Sequence, residues 1–348
     1  MKEITAIGLF SGGLDSLLAC RVIMAQGIRV KALKFVTPFF EDNLLHRQDQ
    51  YRAEVKEKYG IDVQVVDLST GYIELLRNPK HGYGKHFNPC VDCKIFMLTR
   101  ARQLMESCGA SFLFTGEVLG QRPMSQRRDT LRVIERDSCC EDILLRPLCA
   151  KRLNETKPER EGLVDREKLY GFTGRSRRQQ MDLAAAFGIE DYPSPAGGCK
   201  LTDPNLGTRI EQYYKGRFST LGSDFQANDI RLLLVGRQFM LPGGYWLVLG
   251  RVEKENDRIT SLAEEGDWIL HMEERPGPTA LLRRAGKVVA SSDELRDVAL
   301  LAAGLVVRYG RKNKGRIDPA EVLIDQGKEQ YTVVADPLDD KVFVDWQF

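Results

Sequence analysis

The sequence predicts an α/β domain built on a parallel sheet, followed by a smaller α+β domain. Three observations predict this: apolar, strand-like runs alternate with amphipathic helices up to about Ile143, a glycine turn joins the first strand to the first helix, and closely spaced strands dominate beyond residue 228. The length of 348 residues also exceeds what one hydrophobic core usually organises, so two domains are expected.

The first part shows the alternation that is typical of a parallel sheet with helices on both faces. Its predicted strands are Ile4–Phe10, Val30–Phe35, Val63–Leu68 and Phe112–Thr115. Its predicted helices are Leu17–Gln26, Leu44–Tyr59, Lys94–Cys108 and, later, Arg175–Phe187. Because such sheets bind ligands at the carboxyl ends of their strands, the turn after the first strand is the first candidate site.

That turn, Ser11–Ser16, reads Ser-Gly-Gly-Leu-Asp-Ser. Its two glycines allow backbone N–H groups to close on an anion, and its serine hydroxyls add donors. The helix that begins near Asp15 directs its positive end at the same place. No lysine follows the second glycine, so the turn differs from the lysine-containing phosphate loop. We predict a phosphate-binding site here.

The chain beyond residue 204 is predicted to form a linker, 205–228, and a second domain, 229–348. The linker holds one helix, Gly207–Tyr214, and a polar stretch rich in Gly and Ser. A turn at Pro242–Gly244 and a helix at Leu295–Tyr309 punctuate the second domain. Its predicted strands are Ile230–Met240, Tyr245–Val252, Trp268–Met272, Thr279–Leu282, Glu321–Ile324, Tyr331–Ala335 and Val342–Val344.

The composition, with 43% hydrophobic and 29% charged residues, is that of an ordinary globular protein. The longest apolar runs have the length of strands and no signal-peptide core follows Met1, so we expect a cytoplasmic protein without membrane contact. In that compartment the eight cysteines are expected as thiols, ligands or catalysts. Residues 1–224 carry 34 Lys and Arg against 29 Asp and Glu, whereas residues 225–348 carry 17 against 20.

Two cysteines stand just before a predicted helix, in the segment Asn-Pro-Cys-Val-Asp-Cys-Lys. At this spacing Cys90 and Cys93 can ligate one metal ion or cluster, and a helix N-terminus would lower their thiol pKa. A structural zinc site needs four ligands. His86 with Cys139 or Cys140 could complete one. Catalytic thiols, zinc ligands and inert thiols all stay open at this point.

Four motifs in order resemble the synthetase domain of tRNA 4-thiouridine synthetases. They are the glycine turn, Cys93–Met97, Thr115–Gln121 with Met124–Gln126, and Leu144–Leu148. The likeness covers about residues 4–200. It implies the adenine nucleotide alpha hydrolase-like (PP-loop) fold, in which the turn holds the pyrophosphate of ATP while a substrate oxygen attacks the α-phosphorus. The ATP-binding residues that it implies are Ser11, Gly12, Gly13, Asp15, Ser16, Thr115 and Gly116.

The resemblance also implies roles for Asp15 and for three cysteines. Asp15 is expected to organise the loop or a Mg²⁺ ion and is counted among the catalytic residues. The related 2-thiouridylases place one cysteine after an Asn-Pro motif and a catalytic cysteine much later, which corresponds to Cys93 and Cys199. Cys90 departs from that pattern. Three cysteines resemble those of tRNA thiolases that hold a [4Fe–4S] cluster, so Cys90, Cys93 and Cys199 are the implied metal ligands, with zinc as the alternative.

Residues 229–324 resemble the NFACT-type RNA-binding domain. The motifs that carry this resemblance are Gly250-Arg251, Glu255–Asp257, Gly266–His271, Pro276-Gly277 and the Ala-rich helix before Tyr309. Trp268 and His271 could stack on bases, but strand alternation puts Trp268 on one face with Leu270 and favours a core position for it. A basic run suits phosphate contacts. Its members are Arg308, Arg311, Lys312, Lys314 and Arg316.

Further basic residues flank the expected ATP site and favour a polyanionic substrate. They are Arg122, Arg127, Arg128, Arg132, Arg175, Arg177 and Arg178. The sequence thus predicts ATP-dependent thiolation of a uridine in tRNA, through an adenylated base and with release of AMP and pyrophosphate.

The expected partners are tRNA and a sulfur donor. No rhodanese-like segment is visible in the sequence, so the donor is expected to be sulfide or a separate persulfide carrier. A homodimer is compatible with the sequence. Two alternative functions stay open: a PP-loop ligase or amidotransferase that acts on another substrate, and an RNA-binding protein that senses nucleotide without turnover.

Overall fold

The computed structural model describes residues 3–84, 86–194, 199–218, 221, 225–312 and 315–348. The chain divides into two compact units, Met1–Thr202 and Asp203–Phe348. The division falls close to residue 204, where the first domain was predicted to end. The helix Pro204–Tyr214, which contains the whole helix predicted for the linker, groups with the second unit.

The first unit contains a five-stranded sheet in which every pairing is parallel. The strands are β1 (Thr5–Leu9), β2 (Arg29–Val36), β3 (Asp62–Asp67), β4 (Phe112–Thr115) and β5 (Leu144–Leu145), and their order in the sheet is β3-β2-β1-β4-β5. The predicted parallel α/β fold is confirmed. Because β2 and β4 are the neighbours of β1, the segments that follow these three strands meet at one edge of the sheet.

Helices cover both faces of this sheet, as its apolar strands require. They are α1 (Leu14–Met24), α2 (Gln48–Tyr59), α3 (Ser69–Arg77), α4 (Cys90–Cys108), α5 (Arg128–Asp137), α6 (Lys157–Arg160) and α7 (Arg178–Ala186). One core packs under α1 and α7, and a second packs under α4 and α5. The predicted helix Leu44–Tyr59 is split: a 3₁₀ turn, Asp42–His46, precedes α2, and the non-helical backbone of Arg47 separates them.

The second unit is built on a six-stranded antiparallel sheet. Its strands are β6 (Arg237–Leu241), β7 (Tyr245–Leu249), β8 (Trp268–Met272), β9 (Ala280–Leu282), β10 (Ala320–Asp325) and β11 (Gln330–Ala335), in the order β11-β10-β8-β9-β7-β6. Its helices are α8 (Pro204–Tyr214), α9 (Ala227–Leu233), α10 (Glu253–Ser261), α11 (Ser292–Arg308) and α12 (Asp340–Phe343). Apolar residues of α11 and the sheet form its core, which includes Trp268 as predicted.

Two predicted strands of this unit are wrong. The segment Ile230–Met240 divides into α9 and β6, because a capping box between Gln226 and Asp229 starts a helix there. The segment Val342–Val344 lies in α12 and the 3₁₀ turn that follows it, because the Asp339 side chain accepts a hydrogen bond from the Lys341 backbone N–H and starts a helical turn.

Within the described residues, no helix combines the length and the apolar character that a membrane span needs.

Candidate nucleotide site and cysteine cluster

The glycine turn joins β1 to α1 in a shape that its own side chains hold. Gly12 has φ +82°, a backbone conformation that favours glycine. The Ser16 hydroxyl donates to the Gly13 carbonyl oxygen at 2.8 Å, and the Gly13 N–H donates to Ser11 Oγ at 3.3 Å. The two serine hydroxyls are themselves 3.1 Å apart. The turn is therefore already closed into a concave loop at the N-terminus of α1.

The segment after β4 packs directly against this loop. A Cβ atom on Gly116 would come within 2.4 Å of the Asp15 carbonyl oxygen and 2.6 Å of the Ser16 nitrogen. Only glycine allows this approach. It brings Thr115 and Gly116, both predicted to bind ATP, to the first turn of α1.

The Asp15 carboxylate is held from outside the loop. Its Oδ2 accepts a hydrogen bond from Gln121 Nε2 at 2.8 Å, and Gln121 is in turn contacted by Gln180 Nε2 at 3.3 Å. Its Oδ1 is buried with no hydrogen-bond partner among the described residues, although an Arg177 nitrogen lies 3.9 Å away. Gln121 therefore orients Oδ2 of Asp15, and Oδ1 can accept a hydrogen bond or bind a cation beside the loop.

Glu117 lies at the centre of a buried charge network. One of its oxygens accepts from Arg146 Nε at 3.0 Å and from Thr115 Oγ1 at 3.1 Å, and the other is 3.5 Å from Lys94 Nζ. Burial alone would raise the pKa of this carboxyl, but the two cations reverse the shift and hold the pKa below its ordinary value. Glu117 thus stays ionised and fixes the Lys94 ammonium near the nucleotide site.

A second lysine, which belongs to none of the sequence motifs, lies under the loop. Lys34 of β2 donates to the Ser11 carbonyl oxygen at 2.5 Å and forms an ion pair with Glu41. Burial lowers the pKa of Lys34, and Glu41 opposes that shift. A signal for it existed: Lys34 is a charged residue in an otherwise apolar stretch of β2, which requires a partner for it.

Two cavities flank the loop. One of about 280 Å³ has an apolar side formed by Leu33, Phe35 and Phe40, reaches Thr115 and Gly116, and is also lined by charged side chains. The other, about 780 Å³, contains both loop glycines and has a basic rim. The rim arginines are Arg47, Arg122, Arg175 and Arg177. The first cavity suits a base and the second suits phosphates.

The three cysteines predicted to act together come from distant segments of the first unit and influence one another's ionisation. Burial raises the pKa of the Cys93 thiol to about 12, the nearby Tyr72 hydroxyl and the Lys94 ammonium oppose this, and Cys199 and Cys90 add to it. Burial also raises the pKa of Cys199, with a further contribution from Cys90. The ionisation of the Cys93 thiol therefore depends on Cys90 and Cys199 as well as on Tyr72 and Lys94.

Cys140, one of the other proposed zinc ligands, is buried in the core of the first unit. The Cys140 thiol points into the core, toward the carbonyl oxygens of Leu98 and Ser138. Within the described part of the chain, no group of three His, Cys, Asp or Glu residues is arranged to hold a metal ion. The three thiols have the chemistry of a cluster site, but their arrangement in this structure does not fit one.

The basic run of the second unit has one member in an ion pair and three members that are exposed. Arg308 makes two hydrogen bonds to Asp340, at 2.9 and 2.8 Å. Arg311, Lys312 and Arg316 are exposed. Lys314 lies outside the described residues.

The motif residues that resemble the NFACT-type domain have structural roles. A Cβ on Gly250 would lie 2.0 Å from Asn256 Oδ1, which accepts the Thr279 N–H at 3.0 Å. Gly277 and Gly310 both leave room for the Met272 methyl group. These residues let α10 and the strands approach closely and do not by themselves form a ligand site.

Comparison with known proteins agrees with the division of the chain into two units. Residues 2–156 match the family described as thiamine biosynthesis protein (ThiI), and residues 236–347 match the NFACT protein RNA binding domain. A probable tRNA sulfurtransferase of Lysinibacillus sphaericus (strain C3-41) is 28% identical over 140 residues, which are 40% of this chain. The aligned region spans 33% of that relative's length.

Two solved structures show low similarity to this chain. One is a 4-thiouridine synthetase–RNA complex with bound ATP, at 20% identity over 61% of this chain and 50% of that one, with a TM-score of 0.35. The other is the U34-tRNA thiolase NcsA of Methanococcus maripaludis with its [4Fe–4S] cluster, at 16% identity over 62% and 68%, with a TM-score of 0.30. The two family matches agree with both resemblances found in the motifs: residues 2–156 are similar to the ThiI family, and residues 236–347 are similar to the NFACT protein RNA binding domain.

Proposed function

We propose that this chain uses ATP to activate a uridine of tRNA for thiolation, with AMP and pyrophosphate as products. The observation that carries the proposal is the preformed loop at the N-terminus of α1, against which Gly116 packs and beside which Lys94 connects the nucleotide site to Cys93. The ThiI match over the same residues and the similarity to a probable tRNA sulfurtransferase support it.

The loop's part in the reaction is electrostatic. Backbone N–H groups of the Ser11–Ser16 turn and the positive end of α1 hold the pyrophosphate of ATP as charge develops on it, which lowers the barrier to its departure. The uridine carbonyl oxygen attacks the α-phosphorus and forms an adenylated base. The apolar side of the smaller cavity holds the adenine, and Thr115 and Gly116 border it.

Asp15 suits a Mg²⁺ ion that accompanies ATP, because its buried Oδ1 is an acceptor without a hydrogen-bond partner among the described residues. Bound there, the ion would neutralise charge on the phosphates. Gln121 fixes the other carboxylate oxygen and so sets the direction of the free one.

Sulfur arrives, in this proposal, at the cysteines beside Lys94. A persulfide carrier transfers its outer sulfur to the thiolate of Cys93 or Cys199 and leaves as a free thiol. The outer sulfur of that cysteine persulfide attacks the activated carbon of the base, and AMP leaves. The other cysteine then attacks the inner sulfur, so the S–S bond breaks, the thiolated base is released, and a Cys93–Cys199 disulfide remains for a cellular thiol to reduce. No step passes through a cluster, because the described residues do not form one. Iron, zinc and acid-labile sulfide analysis of anaerobically purified protein decides between a cluster, a zinc site and free thiols; iron and sulfide at cluster stoichiometry would replace the thiol route.

The second unit binds tRNA in this proposal, through the exposed residues Arg311, Lys312 and Arg316. The match to the NFACT RNA-binding domain supports this role. The net acidity of residues 225–348 limits the contact to a local basic patch.

The test combines two measurements. Nucleosides from the tRNA of a deletion strain are compared with wild type by mass spectrometry, and a thiouridine is expected to disappear. Purified protein is then incubated with ATP, sulfide and that tRNA, and release of AMP and pyrophosphate is expected only when the tRNA is present. Unchanged nucleosides together with no tRNA-dependent AMP would contradict the proposal.

A further inference from the structure

The glycine loop has no lysine of its own, yet an ammonium group lies beside it. Lys34 of β2 reaches under the loop, and its side chain is only 4% exposed. A Cβ placed on Gly12 would come 3.5 Å from Lys34 Nζ and 3.4 Å from the Tyr51 hydroxyl oxygen. Two donors from outside the loop therefore adjoin the glycine at which an anion would sit.

Glu41, the ion-pair partner of Lys34, is exposed, whereas Lys34 is buried. The Glu41 side chain is 47% exposed, and its backbone has φ +53° in the left-handed region, just before a 3₁₀ turn. Both residues line the two cavities that flank the loop. A buried cation needs an anion beside it, and Glu41 is the one that this structure supplies.

A carboxylate beside Lys34 competes with phosphate groups for the Lys34 ammonium. A triphosphate seated in the loop brings more negative charge and more acceptor oxygens to Lys34 than one carboxylate does. Glu41 can turn toward solvent, where water hydrates its carboxylate, because its side chain is already about half exposed. Lys34 stays beside the loop, because its side chain is only 4% exposed.

We propose that Lys34 is the phosphate-binding lysine that the loop lacks, that it binds the β- and γ-phosphates of a nucleoside triphosphate, and that Glu41 holds this place until the nucleotide displaces it. This inference rests on the proposed nucleotide site, where Lys34 selects a nucleoside triphosphate over a nucleoside monophosphate. Tyr51 adds a hydroxyl donor on the same side.

A purely structural role for Lys34 makes a different prediction. Its hydrogen bond to the Ser11 carbonyl oxygen could simply support the loop. In that case removal of Glu41 would leave ATP binding unchanged or weaken it, because the loop would lose an anchored lysine. In the competition that we propose, removal of Glu41 strengthens ATP binding.

The experiment measures binding of Mg-ATP and of AMP to the full chain by calorimetry. Lys34→Met is expected to weaken ATP binding by about 10- to 100-fold, the range for loss of one charge-assisted contact, and to leave AMP binding within about twofold. Glu41→Gln is expected to tighten ATP binding by roughly 3- to 10-fold, the gain from removing a competing carboxylate, with no change for AMP. Thermal melting checks that each variant is folded.

Matched controls are available on the same elements. Lys31→Met changes a lysine of β2 that lines a different groove, and Glu57→Gln changes an exposed acid of α2; neither residue lines the two cavities beside the loop. If Lys34→Met does not fold, Glu41→Gln still decides the question. Unchanged or weaker ATP binding by Glu41→Gln would overturn the inference, whereas a wild-type chain that binds no ATP would overturn the proposed function instead.

Discussion

Gly116 lies so close to Asp15 that a Cβ atom at position 116 would stand 2.4 Å from the Asp15 carbonyl oxygen. Two segments separated by about a hundred positions in the sequence thereby meet at one point of the nucleotide site. Their contact is between backbone atoms, so no flexible side chain can move aside to relieve a clash.

Gly116→Ala is therefore expected to displace the first turn of α1 and to lower the free energy of unfolding of the first unit by about 1–3 kcal/mol, the usual cost of overpacking. Pyrophosphate release should fall with it. Urea unfolding and a pyrophosphate assay measure the two effects. Gly171→Ala is the control, because its Cβ would meet nothing closer than 3.4 Å. Equal behaviour of the two variants would show that the contact does not constrain the loop.

Asp15→Ala and Ser16→Ala are expected to abolish tRNA-dependent release of AMP and pyrophosphate, since one removes the oriented carboxylate and the other a loop hydroxyl. Their circular dichroism should remain that of wild type. Asp182→Ala, an exposed acid of α7, is the matched control. Release of ADP and phosphate by the wild-type protein would rule out α-phosphate chemistry altogether.

Cys93→Ser and Cys199→Ser are expected to stop thiolation while tRNA-dependent pyrophosphate release continues, because the cysteines act after adenylation. Cys139→Ser, at an exposed position, should retain both activities. Loss of pyrophosphate release in the Cys93 variant would place that residue in the nucleotide site instead. A ligase or amidotransferase would tolerate both replacements.

Alkylation provides an independent check of the raised pKa of the Cys93 thiol. Because burial raises its pKa to about 12, Cys93 is a protonated thiol at neutral pH and should react slowly with iodoacetamide, whereas the exposed Cys139 should react faster. The rate at Cys93 should keep rising with pH well above 9, since the thiolate fraction grows until the pH passes the pKa. Peptide mapping by mass spectrometry measures both rates. A plateau for Cys93 near neutral pH would contradict the raised pKa.

Replacing Arg311, Lys312 and Lys314 together by Ala is expected to weaken tRNA binding and to reduce the salt dependence of the affinity by about one unit of slope per lost phosphate contact. The KM for tRNA should rise more than that for ATP. Arg308→Ala should have the smaller effect, because Arg308 already binds Asp340. An unchanged slope in the triple variant would show that the run is only a solvated surface.

The strand–loop–helix unit at Ser11–Ser16 could be predicted from the sequence alone, because apolar alternation, glycines and serines are local signals. The same holds for the parallel character of the sheet in the first unit and for the core position of Trp268. The predictions of strands at Ile230–Met240 and Val342–Val344 were wrong. Helix capping by Gln226 and Asp229 in the first segment, and by Asp339 in the second, outweighed the strand preference of their β-branched residues.

Tertiary structure alone decided which distant groups share the site. Nothing local in β2 assigns Lys34 to the loop, and nothing after β4 shows that Gly116 touches Asp15. The physical reason is that sequence periodicity reports which face of an element is buried, whereas the partner across that face depends on the order of strands in the sheet. The order β3-β2-β1-β4-β5 placed Lys34 on one side of the glycine loop and Gly116 on the other.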